Sequence, residues 1–184
     1  MKKAFPLLIV SIFLLTSCSL GDSGMRKDFF TMNDSKIANE RFEKTIEAIQ
    51  NQDSTSLKSL FSNKALKEAQ NLNETIDELF GYFQGEMLSY NDWGGPGVDS
   101  GMNDDGTGRY WKRLNSTYDV ETSQDKYRFA MDFISMDTAD ADNVGIRSLY
   151  VIKLEDDTDP QYAYRGDGKD TPGININKKN TIPN

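Results

Sequence analysis

From residue 35 to residue 85 the apolar positions of the chain recur at helical spacing, and from Met87 to Leu154 they alternate. Ala38, Phe42, Ile46 and Ile49 define a first amphipathic helix running to about Asn51, with Asp34 or Ser35 placed to cap it. Asp53 has the position of an N-cap for a short second helix carrying Leu57, Leu60 and Phe61, and Ser62 and Asn63 restart the chain. Leu66 and Ala69 suit one or two further turns. Leu72, Ile76, Leu79, Phe80 and Phe83 then form a strong stripe that Gly85 ends. Residues 87–90 read as a short strand, and Trp93-Gly94-Gly95-Pro96-Gly97 opens a glycine- and aspartate-rich loop reaching Gly108. Three long strands follow. Residues 109–122 share Tyr110, Leu114, Tyr118 and Val120 on one face, and residues 126–136 share Tyr127, Phe129, Met131 and Phe133. The third places Val144, Ile146, Tyr150, Ile152 and Leu154 together; beyond Glu155 only residues 174–176 read as strand.

Helices first and then an antiparallel meander of three or four strands is an α+β layout, with the helices covering one face of the sheet. The order and lengths resemble the NTF2-like (cystatin-like) cone, in which N-terminal helices pack on a curved antiparallel sheet and leave a pocket at the open end. Asp53 with Leu57-Lys58-Ser59-Leu60-Phe61-Ser62, then Glu78-Leu79-Phe80 leading to Phe83-Gln84-Gly85, then Asn143-Val144-Gly145-Ile146 carry a closer resemblance. They resemble an uncharacterised Gram-positive lipoprotein family, the domain of unknown function numbered 5104, over roughly residues 35–155. The resemblance implies a fold and a cellular address and no activity.

The N-terminus has its own pattern. Lys2 and Lys3 precede an apolar run over residues 4–15, which ends in Leu15-Thr16-Ser17-Cys18. A basic start, an apolar stretch and small residues are the parts of a secretory signal peptide, and the four residues resemble the lipobox of bacterial lipoproteins. That resemblance implies cleavage before Cys18 and a diacylglycerol on its thiol, with fatty chains such as palmitate holding the protein on the outer face of the cytoplasmic membrane. The apolar run is too short to cross a hydrocarbon core, which takes about 20 residues. An ordinary signal peptide with an incidental cysteine is the other reading. The expected organisation is a leader over residues 1–17, a flexible tether over residues 18–33 in which Phe29 and Phe30 dock locally, and one domain over residues 34–184 with an irregular C-terminal segment.

Removal of the leader takes Lys2 and Lys3 with it, changing the net charge from −8 to −10. Such a surface repels nucleic acid and anionic head groups, so membrane attachment falls to the acyl chains. Cys18 is the only cysteine, which rules out an internal disulfide, and the chain has no histidine. Zinc enzymes of the histidine-ligated kind and Ser-His-Asp hydrolases are thereby excluded. No cofactor motif is present.

Four sets of residues are candidates for chemistry. Tyr110, Tyr118, Phe129 and Tyr150 either line a pocket for a small apolar ligand between helices and sheet or fill the core, as alternating aromatics do in any packed strand. Asp132 beside a tyrosine has the makings of an isomerase- or hydratase-like site, but Arg109, Arg113, Arg128, Asp132 and Arg147 read better as a solvated, salt-bridged outer face. Asp99, Asn103, Asp104 and Asp105, with Asp167 and Asp170, offer oxygens to calcium without fitting an EF-hand register. Trp93 either anchors a partner from its glycine-rich loop or pins that loop to the sheet; Trp111 is the second tryptophan. The expected function is therefore non-catalytic: binding a small ligand or another envelope protein through the pocket mouth and the Trp93 loop. An enzyme using Asp132 and a purely structural envelope protein are the alternatives. Oligomeric state is not legible.

Overall fold

The structure is a computed structural model, and it describes residues 33–102, 108–157 and 171–177. The leader, Cys18, the tether with Phe29 and Phe30, and Asn103, Asp104, Asp105, Asp167 and Asp170 lie outside the described residues. The elements are α1 (Asp34–Gln50), α2 (Ser54–Ser59), α3 (Asn63–Glu68), α4 (Leu72–Tyr82), β1 (Met87–Asn91), β2 (Gly97–Met102), β3 (Tyr110–Thr122), β4 (Lys126–Asp137), a 3-10 turn (Ala141–Asn143), β5 (Gly145–Lys153) and β6 (Gly173–Asn177).

Local chemistry sets the helix starts. Asn33, one residue earlier than expected, caps α1 by accepting from the Lys36 N–H at 3.0 Å. Asp53 caps α2 through the Thr55 and Ser56 N–H groups, and Ser62 caps α3 through that of Ala65. The apolar stripe of α1 is buried as the spacing requires: Ala38, Phe42, Ile46 and Ile49, joined by Thr45 and Ala48. At the end of α4 the chain turns at Gly85, whose φ is +83° and whose missing Cβ leaves room for Ser123 and Gln124. The Tyr127 hydroxyl holds this turn, donating to the Tyr82 carbonyl at 2.9 Å and accepting from the Gln84 N–H at 2.8 Å.

The sheet is open, curved and mixed, in the order β1-β3-β4-β5-β6. It holds more strands than the pattern suggested. β2 occupies part of what reads as a loop and pairs antiparallel with β3, from Gly97 opposite Asn115 to Met102 opposite Tyr110. β6 pairs with β5 in parallel.

One face of the sheet is covered by the helices. β3 presents Leu114, Tyr118 and Val120 there, β4 presents Tyr127, Phe129, Met131 and Phe133, and β5 presents Ile146, Leu149 and Val151. The last set corrects the expected face of β5. A bulge where Asp132 meets Ser148 and Phe133 meets Ile146 shifts the alternation, so Tyr150 and Ile152 point to the opposite side from Ile146. That opposite face is not simply solvated either. Ala130, Asp132, Ser148, Tyr150 and Ile152 on it are all buried.

The centre of the core is aromatic. Phe42 of α1 lies flat on Tyr118 with ring centroids 3.9 Å apart, and meets Tyr90 and Phe129 edge-on at 5.0 and 5.8 Å. At the start of β5, Gly145 passes under the α2–α3 turn. The Ser62 N–H donates to the Ile146 carbonyl and the Ile146 N–H to the Leu60 carbonyl, both at 2.9 Å.

Candidate functional site

The five residues expected at a pocket are not brought to one place. Tyr118 and Phe129, opposite each other across β3 and β4, are fully buried beneath Phe42 on the helix-covered face. Tyr110 is buried on the same face at the far end of β3. Tyr150 is on the other face, where its hydroxyl accepts from the Thr171 N–H at 3.0 Å. Trp93 is on that other face too. Three recesses among the described residues lie at the rim: one of about 270 Å³ between α1 and α2, lined by Lys44, Glu47, Asn51, Asp53 and Ser56, one of about 400 Å³ at the β3–β4 turn, and one of about 240 Å³ beside β1, lined by Tyr90, Asp119 and Glu121. None of the three touches Tyr118 or Phe129.

Asp132 is held away from the helix layer. The Arg113 side chain grips both of its oxygens, with Nε donating at 2.6 Å, on the sheet face opposite Phe129 and Phe133. A carboxylate engaged in this bidentate way is an ion-pair partner. The expectation of a solvated outer surface is corrected for this residue, since Asp132 is buried. Among the described residues no group of three or more acidic, cysteine or histidine side chains converges.

The Trp93 loop joins the two faces of the sheet. β1 and β2 both lie along the edge of β3 away from β4, and residues 92–96 bridge them. On the helix side, Asp92 accepts from the Asn39 side chain at 3.3 Å, Asn39 in turn accepts from the Tyr118 hydroxyl at 3.2 Å, and Tyr90 donates to Glu43 at 2.7 Å. Gly95 sits so close to Ser35 that a Cβ there would lie 2.9 Å from its hydroxyl. On the other side, the Trp93 ring covers the Arg128 guanidinium at 4.5 Å, and its indole N–H donates to Asp119. Arg128 also binds Asp119 through two nitrogens at 2.6 and 3.0 Å, and pairs with Asp157. Burial alone would raise the Asp119 carboxyl, but Arg128 and Trp93 outweigh it and hold it below the usual carboxylate range. Trp93 thus pins the loop and still leaves half its surface in solvent.

Polar groups on the core side of β3 are what the pattern did not reveal. Lys112 is buried there, its ammonium donating to both oxygens of Asp34 at 3.0 and 3.2 Å, in the first turn of α1. Ser116, also buried, sits beside the Tyr118 hydroxyl without hydrogen-bond geometry and makes no hydrogen bond among the described residues. The register with Leu114 and Tyr118 at every second residue was the available signal, since it places 112 and 116 on the same face.

Four tyrosines carry raised pKa values, Tyr127 among them through burial. Burial pushes Tyr82 up to about 12, and burial followed by the Glu43 carboxylate takes Tyr90 to about 12. Burial pushes Tyr118 beyond them. A group raised in the folded state contributes its full stability below the unfolded value near 10 and loses it as pH climbs toward the folded value. Lys153, raised by Asp125, acts with the same sign. The denaturation midpoint is therefore expected to hold across neutral pH and fall between about pH 10 and about pH 12. The share of tyrosinate absorbance that comes from Tyr82, Tyr90, Tyr118 and Tyr127 should appear together with unfolding; development of the signal of all eight tyrosines near pH 10 in a protein still folded would contradict these assignments.

The exposed apolar surface has a narrower distribution. Among the described residues the exposed large hydrophobics are Leu88 (67%), Trp93 (49%), Val98 (50%) and Met102 (49%), and all four belong to one stretch, β1 through β2. Glu86, Asp92 and Asp99 accompany them, and no lysine or arginine lies between Glu86 and Met102.

These features define a small α+β domain with packed aromatics under its first helix and an apolar, acidic edge on its open sheet. Residues 44–154, more than half of the chain, match the family model described as Domain of unknown function (DUF5104), and the chain belongs to that family. No curated protein matches it significantly.

Proposed function

We propose that this protein is a lipid-anchored, extracytoplasmic binding module without catalytic activity, and that it engages another envelope protein through the β1–β2 edge. The observation that carries the reading is that Val98 and Met102, both half exposed, share the helix-covered side of β2 at the edge of the sheet, with the half-exposed Trp93 on the loop that leads into that strand. Exposed apolar residues scattered singly need no explanation, whereas two on one face of an edge strand whose backbone groups are open to a partner point to an interaction surface. The Trp93 loop suits the role because it is fastened on both faces of β3, so little order is lost when a partner binds. A partner protein is favoured over a small apolar ligand by the flat stacking of Phe42 on Tyr118, which fills the space where such a ligand would sit. The sheet wrapped beneath α1 also supports an NTF2-like ancestry for the domain, with β6 as a parallel addition at the edge.

The anchor rests on Lys2, Lys3, the apolar run and Leu15-Thr16-Ser17-Cys18. Cys18→Ala is expected to abolish incorporation of labelled palmitate and to move the protein out of its normal membrane fraction. A C18A protein still lipid-labelled and membrane-bound would end the lipoprotein reading. The binding surface has a separate test. Val98→Asp combined with Met102→Asp should leave the thermal midpoint within a few degrees, since both side chains are half in solvent, while partner cross-linking falls by about tenfold or more. Unchanged cross-linking in a folded double variant would place the interface elsewhere.

A further inference from the structure

Resting on that reading, we infer that the partner contributes an extended segment that adds to the sheet beside β2, with apolar residues four apart and a basic residue next to one of them. β2 is bonded to β3 on one side, and among the described residues no strand pairs with its other side. Such an edge offers a row of N–H and C=O groups to an incoming strand. The two faces of β2 then dictate the side chains of the visitor. Val98 and Met102 point to the helix-covered side, level with Leu114 and Tyr110, and both are half exposed. An added antiparallel strand has residues directly opposite each of them, and apolar side chains there extend the apolar surface. On the other face lie Gly97, Asp99 and Gly101, opposite Asn115, Arg113 and Trp111. The Trp111 ring covers Gly101 so closely that a Cβ would sit 2.9 Å from it. Asp99 is therefore the side chain of β2 that stands up on this face, and it calls for Lys or Arg in the residue across from it.

Charge also decides against a second copy of this chain as the occupant. Aligning Val98 of one copy with Met102 of the other brings two Asp99 carboxylates to diagonal positions on one face, between chains that each carry −8, or −10 once the leader is removed. A basic segment meets the same edge without that repulsion.

The probe is a fluorescein-labelled peptide, Thr-Val-Thr-Ser-Arg-Val-Thr, titrated by anisotropy against the full chain in detergent. Its two valines fall opposite Met102 and Val98 and its arginine opposite Asp99. Saturable binding is expected, weakened by about tenfold when the peptide arginine is replaced by glutamate. Asp99→Lys should reverse that preference. Two N-methylated isomers, blocked at odd or at even residues, should differ by about tenfold, because alternate N–H groups of an added strand point toward β2. Absence of binding, insensitivity to Asp99→Lys, or equal affinity of both isomers overturns strand addition. Partner cross-linking from Val98 that persists alongside any of these results leaves the β1–β2 interface standing as a surface contact; its loss as well removes both.

Discussion

Replacement of Gly145 by alanine is expected to destabilise the domain by about 3 kcal/mol or more, and replacement by valine to leave little folded protein. Two effects combine. The residue has φ of +128°, a conformation that L side chains rarely adopt. A Cβ would also lie 2.6 Å from the Ser62 nitrogen and 2.8 Å from the Phe61 carbonyl carbon, which are backbone atoms and cannot swing aside. Nor can the segments separate, because the Ser62–Ile146 and Ile146–Leu60 hydrogen bonds tie them together. Gly81 is the control. It lies within α4 with nothing within 4 Å of a Cβ, so Gly81→Ala should be neutral or stabilising by about 0.5–1 kcal/mol. Denaturant midpoints of the two alanine variants would settle the contrast, and equal midpoints would contradict this account of the α2–β5 junction.

Phe42→Ala is the second large effect, with an expected loss of about 3–5 kcal/mol. The ring is completely buried and touches three other rings at once, so its removal leaves a cavity between α1 and the sheet that neighbouring side chains close only in part. Small domains have about 5–15 kcal/mol in total. A soluble F42A protein should therefore melt far below the parent and show exposed apolar surface by dye binding. If it melts within a few degrees of the parent, the space above Tyr118 is not packed as described, and a small-ligand cavity there regains its case.

Much of the helical half could be read from the chain, because capping and periodicity agree there. Asp53 and Ser62 cap the helices they precede, and the stripe from Ala38 to Ile49 is the buried face of α1. The sheet was legible where alternation is unbroken, as in Tyr127, Phe129, Met131 and Phe133. It failed where geometry breaks the period. The bulge at Asp132 and Phe133 turns Tyr150 away from Ile146, and no residue type near it announces the extra step. β2 escaped because Pro96, Gly97 and Gly101 carry the signature of a loop, whereas Gly101 is there to admit the Trp111 ring. Lys112 and Ser116 escaped because polar residues in a strand are read as outward-facing; Asp34 makes the first of them tolerable in the interior. Of the apolar residues of the proposed interface only Trp93 was singled out from sequence, and Asp99 was read there as an oxygen for calcium. Val98 and Met102 gain meaning only once β2 is known to be an edge.

The most direct measurement is site-specific photo-cross-linking in membranes from the producing cell, with a photoreactive residue at Val98 in one protein and at Glu47 in another. Val98 sits on the exposed edge of β2, and Glu47 lies on α1 beside the rim recess. A discrete adduct from Val98 that is absent from Glu47, and lost on Met102→Asp, is the result expected of a membrane-held binding module using its β1–β2 edge. Adducts of equal yield from both positions, or none from Val98 in a correctly anchored protein, would contradict it.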